Sequence, residues 1–331
     1  MVKYILKRAL WMIPVMLGVI TIVFTITYLS PGDPVMLILG ANNYTPEAYA
    51  LKSAEFGLDK PFWVQLGTYI WNLVTKLEMS KSYLTSVPVA SELARRIPIT
   101  MRLNIMGMLL MMAIGLPCGM LSALKQYSVV DMGLTSMSLI MAAMPSFVLA
   151  LLSALLFGVI LRWLPITGLD TWKNWILPVF CSAGGGIAVY TRMTRTTMLE
   201  VIRQDYIRTA RAEGLKEGVV VRRHALKNCL IPLTTVIGAF IATIFSGSII
   251  VETIFNIPGM GLYLVSGITG RDYPVINGTV FVISLLVCTV NLCVDIAYSF
   301  IDPRIKAQFI SPKKRTQIVR ELVQSQSEEA G

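Results

Sequence analysis

Charged residues are scarce in this sequence: they make up 15% of its 331 residues, whereas 55% are hydrophobic. A soluble protein of ordinary composition carries roughly a quarter charged residues. The mean hydropathy is +0.66, and so few polar side chains cannot cover so much apolar area with a water-facing surface. Lipid is the simplest solvent for that excess, so the composition predicts an integral membrane protein.

The sequence also lacks the motifs of common hydrolases. The dipeptide Gly-Lys never occurs, which excludes the phosphate-binding loop G-x-x-x-x-G-K-[ST], and neither H-E-x-x-H nor G-x-S-x-G is found. The five cysteines form no C-x-x-C pair, and the single histidine, His224, has no set of cysteine partners near it. We therefore predict no catalytic residue, no metal site and no disulfide framework, and the residues that contact substrate stay unidentified.

Six apolar segments are long enough to cross roughly 30 Å of hydrocarbon. They are Leu10–Leu29, Leu103–Leu124, Leu134–Leu156, Ile176–Met193, Leu233–Ile254 and Thr279–Phe300. The predicted fold class is all-α, a polytopic membrane protein of about six transmembrane helices. The corresponding divisions are an N-terminal end with the first span (1–30), an extracytoplasmic loop (31–100), a core of five spans (101–302) and a cytoplasmic tail (303–331).

Basic residues cluster beside these spans, which explains the net charge of +10 better than nucleic-acid binding does. Lys3, Lys7 and Arg8 precede the first span, and a long basic loop, 194–230, joins spans four and five. The positive-inside rule therefore predicts that this loop and both termini are cytoplasmic. Arg95 and Arg96 fall on the opposite side, where a long loop follows the rule only weakly. We expect the first span to be retained, because it is longer than the apolar part of a signal peptide.

The loop 31–100 is expected to form a small extracytoplasmic cap with helices over Glu47–Phe56 and Pro61–Leu77. A shorter connection further along the chain carries three tryptophans, which suit the headgroup level of a membrane. We interpret Trp163, Trp172 and Trp175 as interface anchors.

Several spans contain residues that loosen helices or carry charge. Pro117 lies between two glycines, Pro145 falls in span three, and Gly185 is the centre of a glycine triplet expected to interrupt span four. Asp295 is an acidic residue in span six, and charge inside a membrane often marks function. These four residues are candidates for a pore or gate. Tight static packing and helices that rock between two arrangements are equally compatible with the pattern.

The basic loop contains the most informative stretch. Asp205 is expected to cap a short helix, Tyr206–Glu213, and Gly214 suits a left-handed stop after it. A second helix, Lys216–Asn228, leads into span five. The pattern alone leaves two alternatives open: a helix that docks into a partner protein, or a basic helix that lies on anionic lipid.

The stretch from Asp205 to Leu215, D-Y-I-R-T-A-R-A-E-G-L, resembles the coupling loop of bacterial ABC importer permeases, in the first permease subunit of the dipeptide, oligopeptide and nickel branch. S-P-G-D-P after span one, E-T-I-F-N-I-P-G-M-G after span five and D-P-R after span six are similar to further motifs of that branch. Of the broader importer motif, Glu-Ala-Ala followed by a later glycine, only Ala210 and Gly214 are kept. The same departure is typical of the peptide and nickel branch.

The resemblance implies a type I importer permease fold in a bacterial cytoplasmic membrane. It implies a homologous second permease, two ATPase subunits that bind ATP and magnesium, and an extracytoplasmic substrate-binding protein, while this chain itself binds no cofactor. The residues that would couple to the ATPase are Asp205, Tyr206, Arg208, Thr209, Ala210, Arg211, Glu213, Gly214 and Leu215.

Peptide import is the leading functional hypothesis from this resemblance. Nickel or metal-chelate import is the alternative within the family, because the connection Arg162–Ile176 is short, as in many nickel-type members. A self-contained carrier or channel is a third hypothesis. The sequence offers no chain of buried carboxylates or histidines, which proton-coupled carriers usually need.

Overall fold

The structure, a computed structural model, describes residues 2–39, 45–76, 78–243 and 249–301. Within these ranges the chain is helical, and its β pairing is one isolated bridge between Lys81 and Pro88. The predicted all-α class is confirmed, and the predicted tail lies outside the described residues. The helices are α1 (Val2–Leu29), α2 (Pro34–Leu39), α3 (Pro46–Phe56), α4 (Phe62–Lys76), α5 (Val89–Leu124), α6 (Val129–Ala143), α7 (Ser146–Ser153, continued by a π-helical turn, Ala154–Ile160), α8 (Lys173–Ile202), α9 (Asp205–Ala212), α10 (Glu217–Val219, continued by a π-helical turn, Val220–Ala225), α11 (Leu226–Thr243), α12 (Ile249–Ile254), α13 (Met260–Thr269) and α14 (Tyr273–Ile301).

In the described part of the chain, four helices are each long and apolar enough to cross a membrane: α1, α5, α8 and α14. Two bent pairs also qualify, α6 with α7 and Glu217–Leu230 with Pro232–Ile241. The predicted number of six spans is therefore reached when each bent pair counts as one span.

The third predicted span, Leu134–Leu156, is not one straight helix. α6 and α7 meet at 104°, and Met144 between them is extended, with φ −79° and ψ 122°. A proline disfavours the helical conformation in the residue before it, and Pro145 follows Met144. Pro145, singled out in the sequence as a residue that loosens span three, is thus the physical reason for the bend.

The glycine triplet does not interrupt span four, contrary to expectation. α8 continues from Lys173 to Ile202, and its apolar window is the most buried of the four single-helix spans. A Cβ on Gly186 would lie 2.8 Å from the sulfur of Met111, so a neighbouring helix occupies that space. Close packing around α8 outweighs the weak helix propensity of glycine.

α5 packs against α8 along a row of residues spaced four apart. Gly107, Met111, Gly115 and Gly119 are all buried on one face of α5. A Cβ on Gly119 would lie 2.5 Å from the carbonyl oxygen of Thr191 in α8. Small residues at this spacing let two membrane helices approach backbone to backbone, and α5 and α8 form the centre of the fold in this way.

The fifth predicted span, Leu233–Ile254, covers α11 and α12 and includes residues 244–248, which lie outside the described ranges. α12 buries Glu252 completely. Its carboxylate accepts hydrogen bonds from the backbone N–H groups of Gly261, at 2.7 Å, and Leu262, at 3.2 Å, in the first turn of α13. The positive end of the α13 dipole therefore compensates the buried charge.

The two helices expected in the loop 31–100 are present as α3 and α4. Thr45 caps α3 by accepting a hydrogen bond from the backbone N–H of Ala48 at 3.1 Å. Further along, the carboxylate of Asp272 accepts from the Ser82 hydroxyl at 2.5 Å and from the Tyr83 backbone N–H at 3.1 Å. These bonds tie the end of the loop to the beginning of α14.

Two of the three predicted interface tryptophans are exposed, Trp163 and Trp172. Trp175 is only 4% exposed, and the guanidinium of Arg102 lies 4.6 Å from its ring centre. The interpretation of Trp175 as an interface anchor is wrong, because α8 turns this ring into the core.

The arginines that disagreed with the topology rule differ in their surroundings. Arg96 donates to the carboxylate of Glu92 at 3.1 and 3.2 Å, and its guanidinium lies 4.5 Å from the Tyr263 ring centre. Arg95 is 81% exposed and lies 3.7 Å from the same carboxylate. The carboxylate of Glu92 thus compensates part of the positive charge of these two arginines.

Candidate functional site

The candidate site is the short helix α9, and its beginning differs from the prediction. Gln204 precedes the helix, and its carbonyl oxygen accepts from the backbone N–H groups of Ile207, at 3.1 Å, and Arg208, at 3.3 Å. Asp205 is the first helical residue and not the cap, and its side chain is 97% exposed. Its negative charge still suits the N-terminal end of the helix dipole.

One face of α9 is anchored in the protein. Ile207 is completely buried and Ala210 is 4% exposed, and both belong to a cluster that includes Val220, Val221 and Ala225 of the following π-helical turn. Tyr206 is 41% exposed, so its ring lies outside this buried face. α9 is therefore anchored by the side chains of Ile207 and Ala210, and the rest of its surface is exposed.

The end of α9 follows the prediction. Glu213 closes the helix, and Gly214 has a φ of +80°, in the left-handed region. A Cβ at Gly214 would meet nothing within 4 Å, so the backbone conformation and not a lack of space favours glycine here. Leu215, immediately after it, is 38% exposed.

A paired charge connects α9 to the next helix. The guanidinium of Arg211 donates to both carboxylate oxygens of Glu217, at 2.7 and 3.1 Å. Hydrogen bonding to Glu217 raises the pKa of Arg211 and, in turn, lowers the pKa of the Glu217 carboxyl group. The pair joins the end of α9 to the beginning of α10, and both side chains stay partly exposed.

The outward surface of α9 combines both signs of charge with one aromatic ring. The predicted coupling residues on this surface are Asp205, Tyr206, Arg208, Thr209, Arg211, Glu213, Gly214 and Leu215. Ala210 is the one predicted coupling residue that lies inside. A helix that is anchored by one buried face and polar on its exposed face can bind another protein while it keeps its own packing contacts.

A buried ion pair that the sequence analysis did not single out supports the helices near α9. Asp131, in the first turn of α6, is 3% exposed, and Arg195 of α8 donates to its two carboxylate oxygens at 2.7 and 2.8 Å. The Ser122 hydroxyl and the Tyr127 backbone N–H also donate to this carboxylate. α5, α6 and α8 are thereby joined at one end. The sequence did contain a signal for this arrangement. Ser128 caps α6, and an acidic residue, Asp131, follows in the first turn.

The four candidate pore or gate residues are placed apart in the fold. Pro117 and Gly185 are exposed, on α5 and α8, and Pro145 is exposed at the bend between α6 and α7. Asp295 pairs with Arg8 and so joins one end of α1 to the end of α14. A pore or gate role for these residues stays a prediction.

Two family models match the chain. One is described as "Binding-protein-dependent transport system inner membrane component" and covers residues 115–307. The other is described as "Binding-prot-dependent transport system membrane comp, N-term" and covers residues 1–104. The first match alone includes more than half of the chain.

Similar curated proteins cover nearly the whole chain. A putative peptide transport system permease protein of Brucella suis biovar 1 is 40% identical over 313 residues, which are 92% of this chain and 99% of that protein. The dipeptide transport system permease protein DppB of Alkalihalophilus pseudofirmus is 38% identical, covering 92% of this chain and all of that protein. DppB of Escherichia coli K12 is 34% identical over 92% of this chain and 99% of its own length.

A solved structure shares the fold. It is that of the MetNI methionine ABC transporter in inward-facing conformations, with a TM-score of 0.54 and 19% sequence identity over 63% of this chain and 96% of that chain. The spanning helices and the two family matches indicate that the chain is a multi-pass inner-membrane protein. The chain belongs to the family of inner membrane components of binding-protein-dependent transport systems.

Proposed function

We propose that this chain is a pore-forming permease subunit of an ATP-driven importer of dipeptides and oligopeptides. The relatives of similar length at 34 to 40% identity are named as peptide or dipeptide permeases, which supports peptide as the substrate class. The chain itself is proposed to be non-catalytic, with ATP and magnesium bound by partner subunits.

The observation that carries the coupling role is the geometry of α9. Ile207 and Ala210 fix its root, while its exposed face keeps the charged and aromatic residues available. A motor subunit that grips this face moves α9 as a unit. Because α9 packs directly on the π-helical turn that continues into α11, such a movement reaches a membrane span without passing through a flexible linker.

The proposed assembly contains this chain, a homologous second permease, two ATPase subunits on the cytoplasmic side and an extracytoplasmic binding protein. Both termini and α9 are proposed to face the cytoplasm, as the basic residues near the first span and in the loop 194–230 favour. In this arrangement the loop 31–100 faces the binding protein.

The test is reconstitution of the complete transporter in proteoliposomes with its binding protein. We expect ATP-dependent accumulation of a labelled dipeptide or short oligopeptide and no accumulation when the ATPase is inactivated. ATP-dependent uptake of nickel without peptide uptake would support the nickel alternative. Uptake by this chain alone, without ATP, would overturn the importer and support a self-contained carrier.

A further inference from the structure

Helix α4 presents three separate faces. Leu66, Tyr69 and Leu73 are buried on the first. Gln65, Thr68 and Asn72 lie on the second and line a cavity of about 830 Å³ between α4, α3 and the ends of α1 and α14. The third face is apolar and open. It consists of Trp63, 75% exposed, Val64, 46%, Trp71, 66%, and Val74, 69%.

The buried face shows at what depth α4 lies. Its residues pack in one cluster with Ile20 and Phe24 of α1 and with Phe281 of α14. The ring centre of Phe24 is 6.0 Å from that of Phe62 and 5.7 Å from that of Tyr69, so the first two turns of α4 lie on either side of this α1 ring. α1 and α14 are both spanning helices.

The helix rise converts these contacts into positions along the spans. At about 1.5 Å per residue, Phe24 and Ile20 lie roughly 8 and 14 Å before Leu29, the last residue of α1. Phe281 lies roughly 3 Å inside the predicted sixth span, which begins at Thr279. A helix with these contacts lies beside the apolar part of α1 and not beyond its end. It is level with the hydrocarbon of the leaflet that the C-terminal end of α1 crosses.

We propose that α4 is embedded in that leaflet and that its open face, Trp63, Val64, Trp71 and Val74, contacts lipid. The polar face then turns away from lipid toward the cavity, where Gln65 donates to the carbonyl oxygen of Lys60 at 2.7 Å. Trp63, in the first turn of α4, suits the boundary between headgroups and acyl chains, and the last residue, Lys76, is exposed and can reach headgroups. The extracytoplasmic cap is thereby reduced to the remaining parts of the loop.

A protein partner is the competing occupant of this face. Lipid is favoured because the open face adjoins an exposed part of α1: the ring centre of Trp63 is 4.9 Å from that of Phe62, which lies 5.0 Å from that of Tyr28, and Tyr28 is 45% exposed. The inference rests on the spanning helices and on no assumption about the transported substrate.

The experiment is tryptophan quenching in the complete transporter reconstituted into vesicles. The chain has six tryptophans, and phospholipids brominated on the upper part of their acyl chains quench those in contact with lipid. We expect Trp63→Phe with Trp71→Phe to remove a large share of this chain's lipid-quenchable emission. Trp175→Phe is the matched control, since its buried ring should contribute little to the quenchable part. The difference between each variant and the parent transporter isolates this chain from the tryptophans of its partners.

Two results would overturn the proposal. The first is that, in the parent transporter, the emission contributed by Trp63 and Trp71 is quenched by aqueous iodide and not by brominated lipid, which would mean that α4 faces water. If neither reagent quenched it, a protein covers the face.

Discussion

The hydroxyl of Thr100 in α5 donates to the buried carboxylate of Glu252 in α12 at 2.7 Å and accepts from the backbone N–H of Met260 at 2.9 Å. One side chain thus connects a spanning helix, a buried charge and the first turn of α13. All three residues are almost completely buried. In such surroundings an unmade hydrogen bond is costly, because no water can replace it.

Thr100→Val tests this connection. The substitution keeps the shape of the side chain but removes the donor to Glu252 and the acceptor for Met260, and we expect a loss of about 1–3 kcal/mol in unfolding free energy. Thr75→Val is the control, because Thr75 is exposed and its hydroxyl bonds only within its own helix. Thermal unfolding of the purified protein in detergent measures both. Equal melting temperatures for the two variants would contradict the assignment.

Loss of the Asp131–Arg195 pair should destabilise the junction of α5, α6 and α8. Arg195→Gln leaves a buried carboxylate without its charged partner, and removal of one partner from a buried pair typically costs about 3–5 kcal/mol. Since Arg195 is 25% exposed, we expect the lower end of that range. The control is Arg208→Gln, whose exposed pair with Asp205 should contribute under about 1 kcal/mol.

The same pair offers an internal check. If the cost in Arg195→Gln arises from the unpaired charge, adding Asp131→Asn should restore part of the lost stability. A double variant as unstable as the sum of the two single variants would show that the residues act independently.

Gly119→Ala should separate α5 from α8. The new methyl group would lie 2.5 Å from the Thr191 carbonyl oxygen, and backbone cannot move aside as a flexible side chain can. We expect a cost of about 1–3 kcal/mol. Gly133→Ala in α6 is the matched control, because a Cβ there meets nothing within 4 Å and alanine favours the helix by up to about 1 kcal/mol. Similar unfolding temperatures for the two variants would contradict the close helix contact.

Substitution at Gly214 should impair coupling more than folding. Gly214→Ala forces alanine into a left-handed conformation, which costs about 1 kcal/mol and shifts the end of α9. We expect fewer peptides transported per ATP hydrolysed, while the protein still accumulates in the membrane. Gly218→Ala is the matched control, since Gly218 has open space and no left-handed φ. An unchanged transport-to-hydrolysis ratio in Gly214→Ala would remove the loop from the coupling pathway.

Ala210→Glu gives a stronger form of that test. Ala210 lies at the buried root of α9, so a carboxylate there must displace the helix from the π-helical turn or remain buried without a partner. We expect ATP hydrolysis to continue with uptake largely lost. Gly218→Glu places the same charge at an exposed position outside the coupling residues, where a side chain has open space, and serves as the control for the added charge. Full uptake by Ala210→Glu would contradict the proposed anchoring of α9 against the π-helical turn.

Local signals in the sequence predicted several elements correctly. The apolar run after Lys7 and Arg8 predicted α1, and Gly214 predicted the end of α9, because hydropathy and the conformational range of glycine act over a few residues. The bend at Met144 was equally local, since Pro145 restricts the residue before it. Its position was indicated by Pro145, whereas its angle of 104° was not predicted, because the angle depends on how α6 and α7 pack against other helices.

Other features depend on contacts that are distant in sequence. The role of Asp131 required Arg195, 64 positions later, and no periodicity connects the two. The continuity of α8 through its glycines depends on side chains of other helices that fill the space beside them. The packing of α4 was not predicted because its partners lie in α1 and α14, at opposite ends of the described chain.

The spacing of Gly107, Met111, Gly115 and Gly119 limits how the centre of the molecule can move. A shift of α5 along α8 by one turn would bring the Met111 side chain to the place where Gly115 now faces Tyr190, and a Cβ on Gly115 would already lie only 3.0 Å from that ring. Sliding between these two helices is therefore blocked by steric exclusion. A rearrangement that keeps this contact carries α5 and α8 together as one rigid body, with the displacement absorbed at their boundaries with other helices.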